Sequence, residues 1–193
     1  LSPILTKNSM NCCVAIQANQ SEEETFFLLN LAKQHSFIKG VIGWVDLCAN
    51  NVKERIAFFA KNKALKGFRH IVQAEKEDFL LRKDFQNGIY QLSQFKLTYD
   101  LLVLPNQLKL AIKLVTQFPD QVFILDHIAK PKISEPIDDQ WKHNIKALAA
   151  FTNVCCKISG LVTETEGFKW KKGDFIPFLD IITNAFGADR LLF

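Results

Sequence analysis

A strand-like apolar segment returns every 26 to 32 residues along this chain, each time ending on a side chain suited to a binding site. The segments are CVAIQ, VIGWVDL, FRHIV, LTYDLLV, VFILDHI and VCCKISGL, and their marked ends are Gln17, Trp44, His70, Asp100, His127 and Ser159. Apolar residues between them fall at helical spacing: Val52, Ile56 and Phe59; Phe85, Ile89 and Leu92; Leu108, Ile112 and Val115; Trp141, Ile145 and Leu148; Phe175, Leu179 and Ile182. Each triplet lines one helix face. A strand followed by a helix, repeated, encodes a parallel sheet. Parallel strands all finish on the same side, so their polar ends gather into one mouth. The spacing predicts strands near 11–18, 39–47, 66–73, 97–104, 121–127 and 153–159, with helices outside.

The turn chemistry agrees with this reading. Ser21 with Glu24 has the form of a capping box, Asn106 precedes a helix start, and Gly187 follows a helix end. Ser2–Pro3 reads as an N-cap with proline in the first turn, so the chain begins inside a connection between strands. The strands alternate little, as expected for strands covered on both faces. The longest irregular piece, 129–139, carries Pro131 and Pro136 and is a lid or rim candidate. No linker or low-complexity tract divides the chain, and residues 1–193 are read as one domain.

Two parallel-sheet architectures compete. An open doubly wound sheet usually announces itself with a glycine-rich phosphate turn, and neither G-x-G-x-x-G nor G-x-x-x-x-G-K-[ST] occurs. A (β/α)8 TIM barrel needs eight units and typically ~250 residues. These 193 residues hold six strands and the start of a seventh at DRLLF. The expected fold is therefore α/β: an incomplete barrel lacking the first strand and the end of the last.

Composition narrows the partners. Hydrophobic residues make up 48% and charged residues 23%, as in an ordinary globular protein. The net charge of +4 comes from lysines and arginines scattered over the helices, which argues against nucleic acid. No apolar run approaches the ~20 residues of a membrane span. Five cysteines include the adjacent pairs Cys12–Cys13 and Cys155–Cys156. Strand neighbours point to opposite faces, so each pair suits a small hydrophobe better than a disulfide, and the expected compartment is the cytoplasm.

His127, in FILDHIAKP, is the leading catalytic candidate: an imidazole at a strand end can move a proton, polarise a carbonyl or bind a metal. Its rival role is a hydrogen-bonded structural histidine. Arg69 and His70 occupy successive positions, so they face opposite ways, and one is expected at the mouth. The competing assignment is a buried ion pair with Asp46 or Asp100. Asp46 and Asp100 lie in apolar runs and need partners. Trp44, Lys130 and Ser159 complete the candidate substrate-binding set with Arg69, His70 and Asp100. Gln17 and Ser159 could instead satisfy backbone groups. His35 and His143 fall on helices and are expected to face solvent. Neither H-E-x-x-H, paired C-x-x-C nor G-x-S-x-G is present, and no metal ligand set is assigned within the chain.

At IQANQSEEETFFLL, KGVIGWVDL, KGFRHIVQ, YDLLV, FILDHIAKP and CKISGLVTE the chain resembles amidohydrolase family 2, particularly its sugar-lactonase-like branch. The resemblance runs through essentially all 193 residues. It implies a metal-dependent or metal-optional TIM-barrel hydrolase acting on a small molecule, a sugar lactone or related carboxylate. It further implies an H-x-H motif on a first strand, a G-S-D-W-P aspartate after the last, and one divalent metal, zinc or manganese, in the intact protein. Those motifs are not in the chain, so the expected general base and most metal ligands lie outside it, and activity of the chain by itself is not expected. His127 carries over as the histidine near metal or substrate, and Trp44, Arg69, His70 and Lys130 match mouth positions. Decarboxylation within the same superfamily and a non-catalytic barrel remnant are the alternatives. An oligomer is left open.

Overall fold

The computed structural model describes residues 1–193. Seven strands, β1 (Cys13–Ile16), β2 (Ile38–Gly43), β3 (Leu65–His70), β4 (Thr98–Leu101), β5 (Phe123–Leu125), β6 (Val154–Lys157) and β7 (Leu191–Leu192), form one sheet in chain order. Every neighbouring pair is parallel. Helices fill the crossovers: α2 (Glu22–Gln34), α3 (Val52–Ala60), α4 (Lys83–Gln94), α5 (Leu108–Gln117), α6 (Asp139–Ala149) and α7 (Lys172–Phe186), after a short α1 (Ser2–Lys7). β1 and β7 do not pair, so the sheet is an open arc: an incomplete β/α barrel.

The helix triplets meet the sheet as their spacing requires. Val52, Ile56 and Phe59 of α3, Phe85, Ile89 and Leu92 of α4, and Trp141, Ile145 and Leu148 of α6 are all buried in one continuous core. In α5 the buried face runs through Leu108, Ala111, Leu114 and Val115, with Ile112 at its margin. In α7 it turns to Phe178, Ile182 and Phe186, and Phe175 and Leu179 are only partly covered. Burial also grades across the sheet. β4 and β5 are almost wholly enclosed, whereas Val14 on β1 and Leu192 on β7 are exposed. An edge strand has one neighbour, and its free side leaves backbone groups and apolar side chains uncovered.

Several local expectations shift. Ser2 lies inside α1, whose N-cap is Leu1. Ser21 caps α2 by accepting from the Glu24 N–H at 3.2 Å, but the Glu24 carboxylate turns away to accept from Ala18 and Asn19. Asn106 falls within a 3-10 turn, Pro105–Gln107, and α5 starts at Leu108. Asp46 is exposed and needs no cation: its Oδ1 accepts from Cys48 N–H at 2.9 Å, closing a local turn. All five cysteines are free, yet only Cys156 is buried, and Cys12, just ahead of β1, is exposed. No helix is long and apolar enough to cross a membrane.

Candidate functional site

The parallel register brings the ends of β1 to β6 to one side, and the structure sorts the candidate residues there into three groups. The first is built on β2 and β3. Thr25 of α2 is buried, and its hydroxyl bonds both the N–H and the carbonyl of Trp44 at 2.8 Å. Gly43 allows this approach, since a Cβ there would stand 2.6 Å from Thr25 Cγ2. The indole N–H of Trp44 then donates to His70 Nδ1 at 3.2 Å. An indole only donates, so Nδ1 is the acceptor and His70 Nε2 carries the proton toward Glu75 Oε1, 2.7 Å away. Phe79 stacks on the ring at 4.7 Å. Both nitrogens of His70 are therefore occupied.

The second group forms the floor. Arg69 Nη1 meets Asp126 Oδ2 at 2.8 Å, and Arg69 also donates to the backbone and side-chain oxygens of Gln17. Gln17 returns a bond from Nε2 to the Arg69 carbonyl at 3.0 Å, which braces β1 against β3. Lys157 of β6 reaches between Asp100 and Asp126, bonding Asp100 Oδ2 and standing 2.6 Å from Asp126 Oδ1. That second contact is a charge pair off the hydrogen-bond axis, and Asp100 Oδ1 and Arg69 Nε have no hydrogen-bond partner. The expected ion pairs thus exist with other partners: Arg69 takes Asp126 and Asp100 takes Lys157, while His70 makes a hydrogen bond to Glu75. Asp100 sits fully enclosed beneath the mouth, so a direct substrate contact is closed to it.

The third group holds His127. Residues His127, Ile128, Ala129 and Lys130 all have positive φ, between 49° and 59°. Each non-glycine residue in this conformation costs about 1–2 kcal/mol, and such strain gathers at functional sites. Burial offsets it here: Ile128 and Ala129 are fully covered, and the Ile128 carbonyl accepts from Trp141 Nε1 at 2.9 Å. The turn delivers His127 Nδ1 to within 3.0 Å of Ser159 Oγ. Burial pulls the imidazole below its usual value, against the opposing pull of Asp126, which favours the uncharged ring. Lys130, half-buried, lies 3.5 Å from Glu164, and Ser134 Oγ accepts from Glu166 N–H at 2.8 Å. These contacts tie the 129–139 segment to the loop after β6, making it a fixed rim.

The amidohydrolase family model matches residues 14–193. The chain belongs to the amidohydrolase family. It is 35% identical to an L-fucono-1,5-lactonase of Burkholderia multivorans, over all of this chain and 69% of that protein. It is 30% identical to an L-fucono-1,5-lactonase of Burkholderia ambifaria, over all of this chain and 66% of that protein. A crystal structure of a B. multivorans amidohydrolase with bound zinc superposes with a TM-score of 0.92 at 34% identity, over 99% of this chain and 70% of that one. The amidohydrolase chain thus spans about two thirds of the length of these relatives and shares their barrel.

That relative carries bound zinc. Within this amidohydrolase chain no three His, Cys, Asp or Glu side chains converge on a common point. Asp126, the carboxylate nearest His127 in sequence, is committed to Arg69 and Lys157. These residues by themselves supply no three-ligand site for a divalent ion.

Three contributors escaped the sequence reading: Lys157, Glu75 and Gly160. Lys157 is hidden within the apolar run VCCKISGL and Glu75 within a run of charges, QAEKED. An isolated lysine in a buried strand is the signal that could have found the first, because such a cation needs carboxylates.

Asp100 gives the floor a pH signature. Burial pushes its carboxyl from 3.8 up to about 6, with Lys157 pulling the other way. The folded state therefore keeps a proton that the unfolded chain has released between those values. This contribution to stability is present at low pH and is lost as pH rises through about 6. Denaturant midpoints measured across that window should show the loss in the parent protein and a flatter profile in Asp100→Asn. Identical slopes would remove Asp100 as the source.

Proposed function

We propose that the intact protein hydrolyses a sugar-acid lactone, adding water across a ring ester in the barrel mouth. The observation that carries this reading is His127: half-buried just past a strand end, with Nδ1 held by Ser159 and no hydrogen-bond partner on Nε2, unlike His70. Two relatives named as L-fucono-1,5-lactonases support the substrate class.

The reaction joins a water oxygen to the lactone carbonyl carbon and breaks that carbon's bond to the ring oxygen. His127 moves a proton at Nε2 or polarises the carbonyl. Arg69 and Lys157 are neutralised by Asp126 and Asp100 and act as the fixed floor beneath the site. Lys130 and Trp44 line the mouth with half-buried side chains and position the sugar hydroxyls or a carboxylate, while Ser159 holds His127. The substrate is a small molecule, a sugar lactone or related carboxylate, and free cysteines suit a reducing cytoplasm.

The test is a panel of aldono-1,4- and 1,5-lactones, L-fucono-1,5-lactone among them, assayed by proton release with the full-length protein. Turnover above the uncatalysed rate is expected for at least one six-carbon lactone. A panel without turnover overturns the assignment.

A further inference from the structure

The helical layer outside the sheet holds a groove that the lactone reading does not use. It lies between α5 and α6, encloses about 740 Å³, and is lined by Lys109, Lys113, Asp139, Gln140, His143 and Asn144 among others. That volume is in the range of small-molecule sites, about 300–1,000 Å³. Both helices lead away from the mouth between parallel strands, so they run side by side in the same direction. Lys109 stands one turn before Lys113, as Asp139 and Gln140 stand one turn before His143 and Asn144. The groove therefore has two ends. Lys109 and Asp139 share the one nearer the mouth; Lys113, His143 and Asn144 make the other, which holds no carboxylate.

The charges in the groove have no partner within the protein. Every ion pair of the chain lies elsewhere, so no carboxylate neutralises either lysine at contact distance. The floor adds a second and independent feature. Asn144 is only 3% exposed, and its Oδ1 accepts from Gln140 Nε2 at 3.1 Å. Its Nδ2 donates to no protein atom, yet it is not sealed in as Asp100 Oδ1 is, so it opens into the groove that Asn144 lines. A purely structural asparagine would turn both ends of its amide to the protein, because a buried donor left unpaired costs about 1–3 kcal/mol. The amide nitrogen offers donors only, so the group that satisfies it accepts hydrogen bonds. The ammonium group beside it sets that acceptor's charge as negative.

We propose that the α5/α6 groove binds a small oxyanion, a phosphate or a carboxylate, between Lys113 and His143 on its walls and Asn144 Nδ2 on its floor. Lys109 and Asp139, a donor and an acceptor at the other end, suit hydroxyl groups of the same ligand. A hydroxylated oxyanion such as a sugar phosphate or a sugar acid thus fits the length of the groove. The site lies outside the sheet, separate from the mouth that holds His127, and stands whether or not the protein opens lactones.

Inorganic phosphate and gluconate are the probes, each titrated into 15N-labelled full-length protein with sodium chloride holding the ionic strength constant. The side-chain amide signals of Asn144 should move along a saturating curve with Kd on the order of 1 mM, the affinity of two or three charge-assisted hydrogen bonds. Lys113→Gln and Asn144→Leu should each raise Kd roughly 10-fold, the loss of one such bond. Lys146→Gln makes the same charge change on an exposed residue of α6 outside the groove and should leave Kd unchanged. Saturation by phosphate alone identifies a phosphate group, by gluconate alone a carboxylate, and by both the chemistry they share; each supports the proposal. Shifts that grow linearly with both anions, or an equal weakening in Lys113→Gln and Lys146→Gln, overturn it. Should Asn144→Leu fail to fold, the two lysine variants still decide between a built site and diffuse charge.

Discussion

His127→Asn is expected to lower kcat/KM for the lactone substrate by roughly 100-fold or more, the scale of a lost proton-transfer group. Asparagine keeps a polar group near Ser159 and fits the space beside Gly160, so the seat should survive. What disappears is a nitrogen that can bind and release a proton at neutral pH. The pH profile separates this loss from misfolding. The imidazole's value is lowered by burial, so the parent should be active at pH 7 and lose activity only as the ring gains a proton in more acidic solution. That acidic limb should be absent from whatever activity the variant retains. Steady-state kinetics from pH 5 to 8, with circular dichroism on both proteins, provide the check. A folded His127→Asn protein with parental kcat/KM would remove His127 from the chemistry.

Lys157→Met should be the most damaging of the conservative-volume changes in the floor, costing about 3–5 kcal/mol. Lys157 is the only cation bonded to Asp100, whose Oδ1 already has no hydrogen-bond partner, and the carboxylate is fully enclosed. Removing the ammonium leaves Asp100 either charged without compensation or neutralised by a proton. Asp126 fares better because Arg69 still holds it at 2.8 Å. For a chain of this size each kcal/mol is worth about 2–4 °C, so Tm should fall by about 6–20 °C. The double change Lys157→Met with Asp100→Leu should recover at least half of the loss, because it removes the orphaned charge along with its partner. Thermal unfolding followed by circular dichroism measures both. A single-variant Tm within about 2 °C of the parent, less than 1 kcal/mol on that scale, would mean that water reaches Asp100 and that the floor is not a sealed ion network.

The barrel architecture and the place of the site were legible in the sequence because both follow from local periodicity. A buried strand and an amphipathic helix each leave a repeat of fixed length in the chain, and alternating them dictates parallel strands that end on one side. Trp44, His70 and His127 could be placed at strand ends from spacing alone, and the structure puts them there. Who touches whom was another matter. Arg69 and Asp126 are 57 residues apart, as are Lys157 and Asp100, and only the stagger between strands from distant parts of the chain brings each pair together. The same geometry reversed the standing of two histidines that look alike in sequence: His70 has both nitrogens occupied, and His127 keeps one open. Gly160 and the left-handed turn of residues 127–130 carry no periodic signature at all. Backbone conformation of that kind is chosen by what surrounds it, since burial of Ile128 and Ala129 and the ring of His127 offset a local cost that the isolated peptide would refuse.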